Sequence, residues 1–260
     1  MRSIGLIFID IFAKKLIRMK IIAIIPARSG SKGLRNKNIK LLGGHPLLSW
    51  SIITCRKTKL IDYVLVSTNS KKYAKIATKY GAKVPFLRPA SISGNISSDY
   101  EFIDHALNKL RKFKISPEIV VHIRPTTPLR DPKQIDKAIK HFVKNKSRAT
   151  ALRSVHEMSE TVYKVFEISD KKLLKPIFSK NKFLDKINLP RQKFKKTYVA
   201  NGMVDIYSVS FVKKNKMLLG SKVIPFIVSP TTEVDNINDF KYLEYQVRKN
   251  PKILTKIFKS

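Results

Sequence analysis

From Lys20 onward the chain alternates between two hydrophobic textures. Short continuous apolar runs, IIAIIPA (21–27), YVLVST (63–68) and IVVHI (119–123), read as strands buried on both faces, the first and last stopped by Pro26 and Pro125. Between them lie longer segments with helical spacing. Residues 46–57 open with Pro46, residues 70–80 close at Gly81, and 99–112 place Phe102, Ile103, Ala106, Leu107 and Leu110 on one face. Asp131 caps a further helix that holds Pro132 in its first turn and runs to about Lys144. A short extended piece, 84–87, leads into the loop RPASISGNISS. This order predicts crossover units around a doubly wound, mostly parallel α/β sheet.

The second half reads differently. The extended runs ATALRSV (149–155) and TVYKVFEI (161–168) precede a lysine-rich stretch, 171–196, of weak periodicity. Strand character returns in MVDIYSV (203–209) and KVIPFIV (222–228), and 238–248 forms an amphipathic helix. An α/β core with an arm inserted at about 150–200 is the simplest arrangement. No repeat or flexible linker interrupts it.

The N-terminal segment 1–19 stands apart from a single domain at 20–260. Residues 4–13 are apolar except for Asp10 and are followed by Lys14, Lys15 and Arg18, too short to span a bilayer and poorly ordered for a signal peptide. A start at Met19, an ordered extra element and a weak amphipathic anchor all fit. No stable membrane insertion is expected. A lone cysteine, Cys55, excludes an internal disulfide framework and a cysteine-based zinc cluster, and makes the cytoplasm the default compartment.

Charge at first changes this picture more than it should. The 260 residues hold 53 Lys and Arg against 18 Asp and Glu, a formal charge of +35, which raises nucleic acid or an anionic membrane as a partner. In blocks of twenty, however, every block is net basic except 221–240, where Lys222 faces Glu233, Asp235 and Asp239. An even spread is background composition rather than a binding stripe, so no specific nucleic-acid partner is expected.

Position picks out the loop behind the first strand, 26–38. Gly30 and Gly33 let the backbone curl so that amides point at an anion, and Arg28, Lys32, Arg35 and Lys37 crowd cations into ten residues. A loop at the carboxyl end of a parallel strand is where such sheets bind ligands. The spacing is neither a Walker loop nor a dinucleotide fingerprint. Phosphate binding and a solvated basic turn both remain open on these residues alone. The histidines (45, 105, 122, 141 and 156) make no metal-binding spacing, and His122, inside a core strand, reads as packed.

The loop PARSGSKGLRNKN (26–38) resembles the signature of the cytidylyltransferase family that includes CMP-sialic, pseudaminic and legionaminic acid synthetases and, more distantly, CMP-KDO synthetases. Further similarities follow in order: VLVSTNS (64–70), VPFLRPASISGNISSD (84–99), IRPTTPLRDP (123–132), SVHEMSETVYKVFEI (154–168), LPRQKF (189–194), ANGMVDIY (200–207) and EVDNINDF (233–240). The resemblance implies a Rossmann-like fold of the nucleotide-diphospho-sugar transferase type with a dimerisation arm, and hence a homodimer. It implies transfer of CMP from CTP to the anomeric hydroxyl of a nonulosonic acid, a nine-carbon 2-keto acid sugar, with loss of pyrophosphate, for surface polysaccharide synthesis.

Carried over by motif, Arg28, Lys32 and Lys37 would grip the triphosphate, with Lys37 nearest the reacting phosphorus, and Asn38 would contact the nucleotide. Arg88 and Ser98 match positions near the cytosine and ribose. Asp235 and Glu233 match two carboxylates that hold Mg²⁺, and residues i and i+2 at a strand end project the same way. The competing reading is that the three acids of this block cap the final helix, Asp239 in particular. Arg124, Thr126, Thr127 and Asn201 would face the sugar, with Lys164 and Arg191 reaching it from the arm, across the dimer. Arg28, Lys37 and Asp235 would carry the catalysis.

Departures from the pattern bear on the sugar. Arg124 stands where sialic acid synthetases typically have Gln, Asn69 and Asn95 replace common Asp positions, Glu233 replaces a common Asp, and Val199-Ala200 replaces Arg-Pro. An acceptor other than N-acetylneuraminate is therefore expected. A CMP-KDO or other sugar nucleotidyltransferase, and a non-catalytic polyanion-binding protein on the same scaffold, are the alternatives.

Overall fold

The computed structural model describes residues 21–31, 33–178 and 183–259. Segment 1–19 and Lys32 lie outside the described residues. In chain order the elements are β1 (Ile21–Pro26), β2 (Leu41–Leu42), β3 (His45–Pro46), α1 (Leu47–Lys57), β4 (Tyr63–Ser67), α2 (Lys71–Lys79), α3 (Asp99–Lys112), β5 (Ile119–His122) and α4 (Pro132–Lys144). Then come β6 (Ala151–Glu157), β7 (Phe166–Ile168), β8 (Leu174–Pro176), β9 (Tyr198–Ser208), α5 (Val209–Asn215), β10 (Val223–Ile227), α6 (Ile237–Lys249) and α7 (Lys252–Phe258).

Six strands form one sheet in the order β10-β6-β9-β5-β1-β4. All run the same way except β9, which is antiparallel to both β5 and β6. The chain leaves β1 for β4 on one side and later returns to β5 on the other. The carboxyl ends of β1 and β5 thus flank a topological switch point, where such sheets open a ligand crevice.

The apolar runs explain the layering. Along β1, Ala23 and Ile25 face α1, α2 and α4, while Ile22 and Ile24 face α3 and α5. Both faces are buried, so no polar position survives within the run. A third cluster joins Leu42, Leu47 and Trp50 to Phe240, Leu243, Val247 and Ile257. Trp50 is fully buried and its indole N–H donates to the Leu42 carbonyl at 3.1 Å.

Several boundaries differ from the sequence reading. The short extended piece 84–87 stays outside the sheet, since Pro85 within it has no N–H donor, and only a bridge from Leu65 to Lys83 precedes it. The sheet also claims both ends of the 150–200 insertion as β6 and the start of β9. Only 158–197 leaves the sheet, and within it β7 pairs with β8. The pairing of β9 with β6 shifts register between Arg153 and Val155, and Gly202 has φ +63°, so the strand extends through Asn201-Gly202, residues that look like a turn. Helices α5 and α7, seven residues each, were too short for periodicity to register.

Asn236 opens α6, accepting from the N–H groups of Asn238 and Asp239 at 2.8 and 3.1 Å, while Asp239 accepts from Asp235 and Asn236 at 2.8 and 2.9 Å. Asp239 therefore has the capping role open to it in the sequence. Asn236→Ala is expected to lower the unfolding free energy by about 1 kcal/mol. The backbone N–H groups of Asp235 and Asn236 hold Asp239 below the usual carboxylate range. Its stabilisation is complete above the unfolded-state pKa and disappears as pH falls through the lowered folded value. Asp239→Asn should thus cost more stability at pH 7 than at pH 2.5 in denaturant titrations; an equal loss at both would refute this.

Candidate active site

The switch point holds a cavity of about 490 Å³ whose lining includes Arg28, Lys37, Asn38, Arg88, Asp99, Arg124, Thr126 and Asp235. Four pieces of chain build it: the loop after β1, the loop before α3, the carboxyl end of β5 and the segment before α6.

The first loop is held against the last segment by close backbone approach. A Cβ at Gly33 would collide with the Asp235 carbonyl oxygen, so only glycine fits there. Lys37 Nζ donates to the Val234 carbonyl at 2.6 Å and lies 3.5 Å from Asp235 Oδ1. Lys37 is 14% exposed and Asp235 79%, so the ammonium is fixed while the carboxylate faces the open cavity. Asn38, buried, ties the loop to its own start by donating to the Arg28 carbonyl at 3.0 Å.

Arg88 forms a buried wall. It donates to the Ser67 carbonyl at 2.7 Å and to Ser67 Oγ at 3.1 Å, with its guanidinium 4.7 Å from the centre of the Phe102 ring. Burial, with neighbouring Arg28 adding to it, pulls its pKa down to about 10. Ser98 caps α3: its hydroxyl accepts from Glu101 N–H while its own N–H donates to Glu101 Oε2 at 2.6 Å.

Behind this wall sits an ion network. Arg124 donates to Asp99 Oδ2 at 2.6 Å and to Asp205 Oδ2 at 2.8 Å. Asp205 also accepts two hydrogen bonds from Arg153, at 3.0 and 3.1 Å, and one from Tyr207 at 3.3 Å. Burial works against charge on Arg124, yet Asp205 and Asp99 outweigh it and hold its pKa above the ordinary value. His122 is fully buried, its Nδ1 3.1 Å from the Tyr207 hydroxyl, and burial drives its pKa well below the usual value. It is a core side chain.

Thr126 donates to Glu233 Oε1 at 2.8 Å, and its carbonyl accepts from Val234 N–H at the same distance. Thr127 Oγ1 and Asn201 Nδ2 are buried without a hydrogen-bond partner. Gly202 lies between them and Glu233; a Cβ there would sit 2.9 Å from Thr127 Oγ1 and 3.2 Å from Glu233 Oε2. Among the described residues no group of three or more metal-ligating side chains comes together; Asp99 and Asp235 line the cavity, and Glu233 lies beside it, bonded to Thr126.

Not all the expected residues meet. Arg191 lines a separate cavity of about 450 Å³ on the arm, paired with Glu157 at 2.5 Å, and Lys164 lies 5.9 Å from the Phe194 ring centre. Lys32 lies outside the described residues. Conversely, Asp99, Asp205, Arg153 and Arg130 were passed over in the sequence although each sits in or beside a matched motif. A charge predicted to lie in a core strand, as Asp205 is, was the available signal. Arg130 is buried and donates to the carbonyls of Arg124, Gly202 and Met203 and to Ser51 Oγ at 2.6–3.1 Å.

A crevice at the carboxyl edge of a doubly wound sheet, lined by four cations and by the carboxylates of Asp99 and Asp235, suits an α/β protein that binds phosphorylated ligands. Residues 22–260 match the cytidylyltransferase family, and the chain belongs to it. It is 28% identical over 232 residues to post-translational flagellin modification protein B of Campylobacter coli, covering 88% of this chain and 95% of that one. It is 37% identical over 130 residues to the CMP-N,N'-diacetyllegionaminic acid synthase of Legionella pneumophila, covering 50% of this chain and 56% of that enzyme, so the matched stretch spans little more than half the relative's length. The fold is shared with CMP:2-keto-3-deoxy-manno-octonic acid synthetase in complex with CTP, at a TM-score of 0.68 and 13% identity over 88% of this chain and 99% of that one.

Because Arg130 satisfies three backbone carbonyls around the cavity, Arg130→Met is expected to cost about 2–4 kcal/mol of stability. Denaturant unfolding of the variant checks this; a loss below about 1 kcal/mol would show those carbonyls to be satisfied without it.

Proposed function

We propose that this protein transfers CMP from CTP to the anomeric hydroxyl of a nonulosonic acid. The sugar oxygen attacks the α-phosphorus, the bond to the β-phosphate oxygen breaks, pyrophosphate departs and the hydroxyl proton is lost. The observation that carries this reading is the meeting of the β1 loop with the segment before α6, which sets a fixed Lys37 ammonium beside the Asp235 carboxylate. The relatives' activities support the nucleotide and the acid sugar.

In this reading Arg28, Lys32 and Lys37 bind and orient the triphosphate, and Lys37 supplies charge where it develops in the transition state. Asn38 fixes the loop against the nucleotide, and Arg88 and Ser98 order the wall facing base and ribose. Arg124, Thr126, Thr127 and Asn201 face the sugar. The unpartnered Thr127 hydroxyl and Asn201 amide suit a ligand rich in hydroxyls.

Mg²⁺ fits the donor set. Asp235 and Glu233 are hard oxygen donors, and a Mg²⁺ site commonly uses one or two carboxylates with the remaining positions taken by phosphates and water. Bound there, it would neutralise charge on the phosphates. The exposed apolar side chains of the arm, Phe166, Ile168 and Leu174 among them, support pairing with a second copy. Such a homodimer would let Lys164 and Arg191 reach the partner's sugar. Among the described residues no helix is long and apolar enough to cross a membrane, and a cytoplasmic enzyme making precursors for surface glycans is the reading we adopt.

The test is pyrophosphate release from CTP and Mg²⁺ with a panel of nonulosonic acids and KDO. Turnover with a nonulosonic acid is expected; turnover with KDO alone, or with no sugar, overturns the reading. Lys37→Met should lower kcat by about 10²–10³-fold. Asp235→Asn should abolish turnover at low Mg²⁺ while leaving the fold intact by circular dichroism.

A further inference from the structure

Arg124 is the cation that replaces a typical glutamine, and it is the natural candidate to hold the acceptor's carboxylate. In the structure it already holds two carboxylates. These differ in kind. Asp205 is 3% exposed, sits in the middle of β9, and takes hydrogen bonds from Arg153 and Tyr207 as well. Removing it would strand two guanidiniums, so it cannot leave. Asp99 is 42% exposed, begins α3, and its only hydrogen bond to another side chain, among the described residues, is the one to Arg124. The helix cap beside it is made by Ser98 and Glu101 and does not need the Asp99 side chain.

The guanidinium is therefore anchored on its Nη1 side and exchangeable on its Nη2 side. We propose that Asp99 is an internal stand-in for the acceptor's carboxylate and a specificity-determining residue: the incoming 2-keto acid displaces it from Arg124 Nη2. This rests on the reading that the acceptor is a carboxylated sugar. Arg124 and Arg153 oppose Asp205 and Asp99, and Arg88 lies close enough to Asp99 to feel its charge. An anion can take the Nη2 side of Arg124 only if Asp99 swings out to solvent, which its exposure allows. Displacement makes a weakly held anion uncompetitive. Only an acceptor that also engages the sugar-facing hydroxyl and amide groups recovers what breaking the Arg124–Asp99 pair costs.

The test uses the full-length protein and Asp99→Asn and Asp99→Ser, two uncharged variants, the second retaining a good helix-start residue should the first fail to fold. With the best acid of the panel, both variants should lower the KM for the sugar about two- to fivefold, the range expected when a partly exposed competing charge is removed, while the KM for CTP changes less. A sugar KM that is unchanged or raised overturns the inference. If wild type turns over no nonulosonic acid, the functional reading fails separately, and pyruvate, a bare 2-keto acid, decides this one. Its binding is followed by the Arg124 Nε–H resonance in NMR, assigned by its loss in Arg124→Lys. Tighter pyruvate binding to the variants than to wild type upholds the displacement; equal binding overturns it.

Discussion

One buried carboxylate organises the working end of this molecule. Asp205 lies on the strand that runs against its neighbours, in register with His122 of β5 and Arg153 of β6. A charge that deep is tolerated only when paired and fully hydrogen-bonded, and the pairing fixes geometry across three strands. Arg153 secures β6 against β9. Arg124 is held across the end of β5, and Thr126, two residues on, lines the cavity. Substituting the carboxylate would leave two arginines facing each other, so the antiparallel strand, the arginine and the crevice wall stand or fall together.

The split between what the sequence disclosed and what it withheld follows from the range of the forces involved. The buried strands β1, β4 and β5, their helices and the glycine-bearing turn after β1 are governed by local periodicity and local backbone freedom, and they were legible. So was Asp239, because a helix cap is a matter of three residues. The Asp205 network was not, since its members come from 99, 124, 153, 205 and 207 and only the sheet order makes them neighbours. The arm boundaries were misjudged for a related reason: β6 and the start of β9 earn strand status by pairing with each other across a register shift, not by alternation of their own residues. Similarity to a known family supplied the candidate site residues, but it could not say that Arg124 is already engaged or that Arg191 lies on a separate surface in one chain.

The large positive charge takes a different meaning in this light. Four cations, Arg28, Lys37, Arg88 and Arg124, line the crevice against two carboxylates, Asp99 and Asp235, and Arg88 and Arg124 are held by a backbone carbonyl and by acids respectively. Excess charge over the remaining surface raises the general attraction for anionic substrates without specifying them. Several of the cations that line the crevice are fixed from behind: Lys37 by the Val234 carbonyl, Arg88 by Ser67 and Arg124 by Asp205.

The third hydrophobic cluster has a consequence in time. Leu42, Leu47 and Trp50, made early in synthesis, share a cluster with the later Phe240, Leu243, Val247 and Ile257. The same late segment delivers Asp235 to Lys37. A chain emerging from the ribosome can assemble β1, β4 and β5 with their helices long before this, but it carries an incompletely covered tryptophan and half a crevice until α6 and α7 emerge. Completion of the core and arrival of the acidic group are one event, so the nascent protein has no stage at which it is closed but lacks that carboxylate.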